Sequence, residues 1–202
     1  MQCSKRPLKF VYTIKRSTFH IFRLNVPASC PRMYKYSILF IDTGRIKTMP
    51  RVTDIEIYEH KEHHIIGIKA KVSADGIHEL INESYPRLFS YLEKLGEVPT
   101  DPPFLTYHNT DMSNLDITVA IPVSKELPSS NGIFPLKIPT IKMVRCVHRG
   151  SYKSIEETYK EINAWISMKG YTSIGIVREC YLNDPSEFPE DELLTKITIP
   201  VV

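Results

Sequence analysis

The chain has 202 residues, 42% of them apolar and 24% charged, with a formal net charge of +3. That length accommodates one sizeable core or two small units packed together, and no apolar run is long enough for a membrane-crossing helix. The four cysteines, Cys3, Cys30, Cys146 and Cys180, show no paired spacing, which argues against a disulfide framework or a zinc site and makes a reducing cytoplasm the expected compartment.

The charge is unevenly spread. Residues 1–50 carry ten Lys and Arg against one acid, Asp42, whereas the rest of the chain is net acidic. This first segment has aromatic and β-branched runs but no clean helical period. It lacks the helix-turn-helix pattern of a groove-reading arm, and its strand-like runs fit a transit peptide poorly. We expect a basic N-terminal extension foreign to the fold, lying upstream of a true start at Met49.

From residue 51 onward the elements are regular. Strand-like 52-VTDIEIY-58 leads through 59-EHKEHH-64 to 65-IIGIKAKV-72. A helix is predicted over 77–95, with Leu80, Ile81, Leu88, Leu92 and Leu95 on one side and Pro86 as an expected kink or break. Strands 104–109 and 115–123 follow. A Ser-, Pro- and Gly-rich linker, 124–135, then leads to 132-GIFPLKI-138, which Pro135 restricts to a sheet edge. The apolar run 141-IKMVRCV-147 ends at a turn containing Gly150. The next helix carries Ile155, Tyr159, Ile162 and Ile166 and closes at Gly170. Strands 175-GIVRECYL-182 and 194-LTKITIPV-201 complete the chain.

Shifting the chain by 74 residues aligns it with itself. Gly76 falls on Gly150, Tyr85 on Tyr159, Tyr91 on Trp165, Gly96 on Gly170, Tyr107 on Tyr181 and Asn109 on Asn183. The expected architecture is therefore α+β: a duplicated strand-strand-helix-strand-strand module with pseudo-two-fold symmetry. Antiparallel sheets and two main helices would flank a central cleft, with copy one at 51–123, the linker at 124–135 and copy two at 136–202.

Few residues point to chemistry. The cluster 60-HKEHH-64 lacks a metal-binding pattern and reads as a solvated turn. Cys146 and Cys180 read as core thiols. No phosphate loop or nucleophile elbow is present, so no metal or cofactor is expected. Glu179 stands out as a carboxylate in a mostly apolar strand, sharing a face with Val177, Tyr181 and Asn183. Its repeat counterpart is Leu105, so the position either points inward and needs a partner or function, or is a rim glutamate beside a cross-strand cation. Trp165, Tyr159, Tyr181, Tyr107, Tyr85 and Tyr91 recur at related positions in both copies, and Tyr152 stands near them in the second. Around a carboxylate they would suit a flat or cationic apolar molecule.

The motifs 148-HRGSY-152, Tyr159 with Trp165, 170-GY-171, 178-RECYLNDP-185 and 199-IPV-201 resemble the gyrase-inhibitor-like (GyrI-like) small-molecule-binding family, which includes effector-binding domains of multidrug-responsive transcription activators. The resemblance is close over 137–202 and looser over 52–123. It implies two modules around a ligand cleft, with Glu179 as the buried acid and Trp165 as the helix aromatic receiving lipophilic or cationic compounds for sensing or sequestration. It also implies two alternatives: hydrolysis of strained cyclopropane-bearing compounds, with Glu179 catalytic, and a protein-interaction module of the gyrase-inhibiting kind. The last strand departs from the family pattern at Lys196, where many relatives carry an acid, which argues against a paired-carboxylate mechanism. A nucleic-acid or membrane partner is not expected.

Overall fold

The computed structural model describes residues 50–202 and, ahead of them, three strands, β1 (Phe10–Ile14), β2 (Ser17–Leu24) and β3 (Lys35–Leu39), paired antiparallel in that order. The other expectations for the first fifty residues, including Cys3, Cys30 and a start at Met49, lie outside the described residues.

The remaining elements are β4 (Glu56–His60), β5 (His63–Val72), α1 (Ile77–Leu95), β6 (Phe104–Tyr107), β7 (Leu115–Val123), β8 (Phe134–Ile138), β9 (Ile141–Arg149), α2 (Ile155–Met168), β10 (Val177–Tyr181) and β11 (Leu194–Val201). The eight strands form one antiparallel sheet in the order β4-β9-β11-β10-β6-β7-β5-β8. The fold is α+β. Exchanging β4 with β8, β5 with β9, β6 with β10 and β7 with β11 turns this order into its own reverse, so the strand order is symmetric about its centre. β4 pairs with β9, and β8 pairs with β5, so the first strand of each half edges the sheet beside the other half. Pro135 sits on the edge strand β8, the position in a sheet where proline is tolerated.

Both helices cover one face of the sheet, α1 over β5 and β7 and α2 over β9. Under α1, Leu88 and Leu92 meet Ile66, Leu105, Ile117 and Val119; under α2, Ile162 and Ile166 meet Val144, Ile197 and Ile199. Each such buried aliphatic side chain contributes about 1.5–3 kcal/mol through loss of apolar contact with water. α1 runs unbroken through Pro86, which excludes the break from the expected kink or break, and ends where Gly96 adopts a left-handed φ of 68°. At the sheet centre β6 and β10 pair antiparallel, with Leu105 opposite Glu179. These two strands run between the helices.

The turn after β9 shows why 148-HRGSY-152 has its composition. Gly150 has a φ of 127°, and a Cβ there would lie 3.1 Å from Ser154 Oγ. Fully buried His148 bonds Thr158 Oγ1 at 2.8 Å, tying the strand to α2. Among the described residues, no helix is long and apolar enough to cross a membrane.

Candidate functional site

Alternation along β10 turns Val177, Glu179 and Tyr181 toward the helices. There they floor a cavity of about 870 Å³ walled by α1, α2 and the loops after β6 and β10. This volume lies in the range of ordinary small-molecule sites. Ile77, Ile81, Tyr85 and Phe89, one stripe of α1, line one wall; Ile155, Tyr159 and Asn163 of α2 line another.

Glu179 is only 7% exposed. Tyr159 donates a short hydrogen bond to its Oε1, and Tyr107 and Tyr181 donate to Oε2 at 3.1 and 2.9 Å. The Tyr107 and Tyr181 hydroxyls also lie 3.1 Å apart. Burial pushes the carboxyl pKa upward, outweighing the three O–H donors that favour the anion. Burial, and then the neighbouring carboxylate, raise all three tyrosines, keeping them neutral donors. Tyr152 meets the Tyr181 ring edge-on at 5.5 Å, as Tyr85 meets Phe89 at 6.4 Å. Five carboxylates line the cavity (Asp75, Glu156, Glu179, Asp184 and Glu187) against one ammonium, Lys153.

Six of the eight residues singled out from sequence, Glu179, Tyr181, Tyr107, Tyr159, Tyr85 and Tyr152, line this cavity. Trp165 does not. It lies six residues beyond Tyr159, about 240° around the helix, and packs on the core beneath α2 with Lys169 Nζ 5.7 Å from its ring. Tyr91 is likewise core, donating to the Pro128 carbonyl. Lys196 pairs with Cys180 on the opposite face, and Ile197 is the residue beside Glu179, so Lys196 does not bear on a second carboxylate in this cavity. His60 and His63 are not solvated turn residues. They are half-buried, with His60 Nε2 and His63 Nδ1 2.8 Å apart. Among the described residues no His, Cys, Asp and Glu group suits a metal. Cys146 and Cys180 are buried thiols, and burial pushes Cys146 up to about 12. The sequence reading missed Phe89 and Asn163; spacing of four from Tyr85 and Tyr159 was the available signal.

The family model for the GyrI-like small molecule binding domain matches residues 53–202. The chain belongs to this family. A search of the curated proteins finds no match. Among solved structures, the GyrI-like domain is similar to the EcmrR C-terminal domain, at 21% identity and a TM-score of 0.63 over 75% of this chain and 98% of that one. It is also similar to EcmrR in its complex with DNA, at 22% identity and a TM-score of 0.63 over 73% of this chain. It spans 57% of that EcmrR chain. A hydrolase from Listeria innocua is 16% identical with a TM-score of 0.57, over 77% of this chain and 94% of the hydrolase. At these identities the likeness is one of fold.

Proposed function

We propose that this GyrI-like domain receives small apolar or cationic aromatic compounds in the helix-side cavity, between its two halves, for sensing or sequestration in the cytoplasm. The observation that carries this reading is the buried Glu179 carboxylate held by three tyrosine hydroxyls on the floor of an aromatic cavity. A lipophilic cation would compensate the buried charge, and the rings would supply contact area and cation–π attraction of roughly 0.5–2 kcal/mol each. A cation favours the ionised carboxylate, so affinity for cations should rise as pH rises through the raised Glu179 pKa.

Calorimetry with size-matched cationic and neutral dyes tests this. Glu179→Gln is expected to weaken the cation by roughly 1–3 kcal/mol and leave the neutral dye nearly unchanged. Equal effects on both dyes, or none, would overturn the reading.

The raised carboxyl pKa also favours a second reading, in which Glu179 is a general acid. It would protonate a carbon of a strained cyclopropane as the ring C–C bond breaks, water would supply hydroxide to the other carbon, and the water's remaining proton would return to Glu179. Glu179→Gln would then abolish turnover while leaving substrate binding intact.

A further inference from the structure

The face of the sheet away from the helices carries a second cavity, of about 530 Å³. Strand register builds it. Arg178 and Cys180 of β10 point to this face, opposite Thr198 and Lys196 of β11. Next to β11, β9 presents Arg145 and Met143, and β4 presents Tyr58 and His60 beside them. Phe104 of β6 completes the apolar side.

The charges here are not balanced. Arg145 is answered by Glu56 at 2.7 Å and lies over the Tyr58 ring at 4.4 Å. Glu62, on the rim, is taken by Lys137 at 2.9 Å. Arg178 has no carboxylate among the described residues: its buried Nε has no hydrogen-bond partner, and Nη1 reaches only the Met143 sulfur at 3.7 Å. Its guanidinium lies 5.4 Å from the centre of the Phe104 ring. Lys196, half-buried, also forms no ion pair among the described residues. Arg178 and Lys196 are diagonal neighbours on adjacent strands, roughly 7–8 Å apart in such geometry and somewhat less at Cβ. The remaining acid in the lining is the exposed Asp101. A buried guanidinium N–H without an acceptor is costly, and a second unanswered cation beside it adds repulsion. Both costs fall when an anion enters.

We propose that this cavity is a second ligand site, separate from the helix-side cleft, for a small organic anion: one carboxylate, sulfonate or phosphate group on a flat apolar body. The Arg178 fork and Lys196 hold the anionic head, since guanidinium geometry suits two-oxygen acceptors. Phe104, Tyr58 and Met143 contact the apolar body. The anion also compensates the two neighbouring cations that, after burial itself and the adjacent His63, help hold His60 down to about 4.

The test uses the full chain with anilinonaphthalene sulfonate and, for comparison, phenylnaphthylamine, which has the same rings without the sulfonate. The sulfonate probe is expected to saturate one site outside the cleft. Lys196→Gln and Arg178→Gln should each weaken it roughly tenfold, leave the neutral probe unchanged and spare cationic dyes in the cleft. Glu179→Gln should not weaken the sulfonate probe. If Arg178→Gln fails to fold, Lys196→Gln decides, because that side chain is half-exposed. No saturable binding of the sulfonate to the wild type, affinity unchanged in Lys196→Gln, or loss in Glu179→Gln instead would each overturn the proposal.

Discussion

The Glu179 carboxyl holds its proton more tightly in the folded chain than in the unfolded one, because burial raises its pKa. Unfolding therefore releases a proton between the ordinary glutamate value and the raised one, and stability falls as pH rises through that window. Glu179→Gln is expected to raise Tm at neutral pH, with a gain that shrinks to nothing as pH falls to the ordinary glutamate range. A gain independent of pH would show that ionisation is not its source. Trp165→Ala should cost stability through lost packing under α2 while leaving dye affinity in the helix-side cleft unchanged, since the ring lies outside that cavity; calorimetry and thermal melts separate the two effects. An acid placed among apolar strand residues left two readings of Glu179 open, inward or rim, and burial decides for the inward one. The exclusion of Trp165 was readable, had its angular position on α2 been weighed instead of its ring chemistry. Grouping Tyr107, Tyr159 and Tyr181 around a carboxylate was readable from the repeat, but not that their hydroxyls donate to Glu179, because β6, β10 and α2 meet only through tertiary packing.

At the scale of the elements, two asparagines do the same work in the two halves. Asn183 donates from Nδ2 to the Glu192 carbonyl at 2.8 Å and accepts at Oδ1 from the Leu194 N–H at 2.8 Å. Asn109 does the same with the Asn114 carbonyl and the Asp116 N–H, at 2.9 and 3.0 Å. Each closes the loop between the last two strands of its half. Asn183→Ala leaves the Leu194 N–H buried without a partner and should cost about 1–3 kcal/mol. Asn109→Ala, in a less buried loop, should cost less; equal losses in denaturant melts would refute the role of burial. The repeated Tyr-x-Asn in the sequence marked these loops, but not what the asparagines bond. Strands and helices were legible from apolar period and turn glycines. The single sheet, and the placing of β4 and β8 beside opposite halves, were not, because strand order depends on contacts distant in sequence. Of the kink or break expected at Pro86 the break is absent, because a proline's local cost can be outweighed by the packing of the helix around it, here Leu88 and Leu92.

For the whole molecule, the exchange of edge strands ties the halves together. Residues 136–202 expressed alone would lack β4 beside β9 and β6 beside β10, and should be unfolded or self-associated; a monomeric fragment with cooperative unfolding would refute this. The central register has a further consequence. Leu105 faces Glu179 across the middle of the sheet, and these are the two residues that the 74-residue repeat equates. In an assembly of two identical single modules, whatever occupied that position would face its own copy. Two glutamates there would place like charges opposite each other in a dry interior, which disfavours the pairing; two leucines would leave no acid for a ligand. Leu105→Glu recreates the first arrangement within this chain and is expected to lower Tm sharply at neutral pH, with recovery in acid; a Tm unchanged across pH would remove the constraint. Covalent joining of the halves thus permits what identical subunits cannot: an unequal centre, with charge supplied from one side and packing from the other.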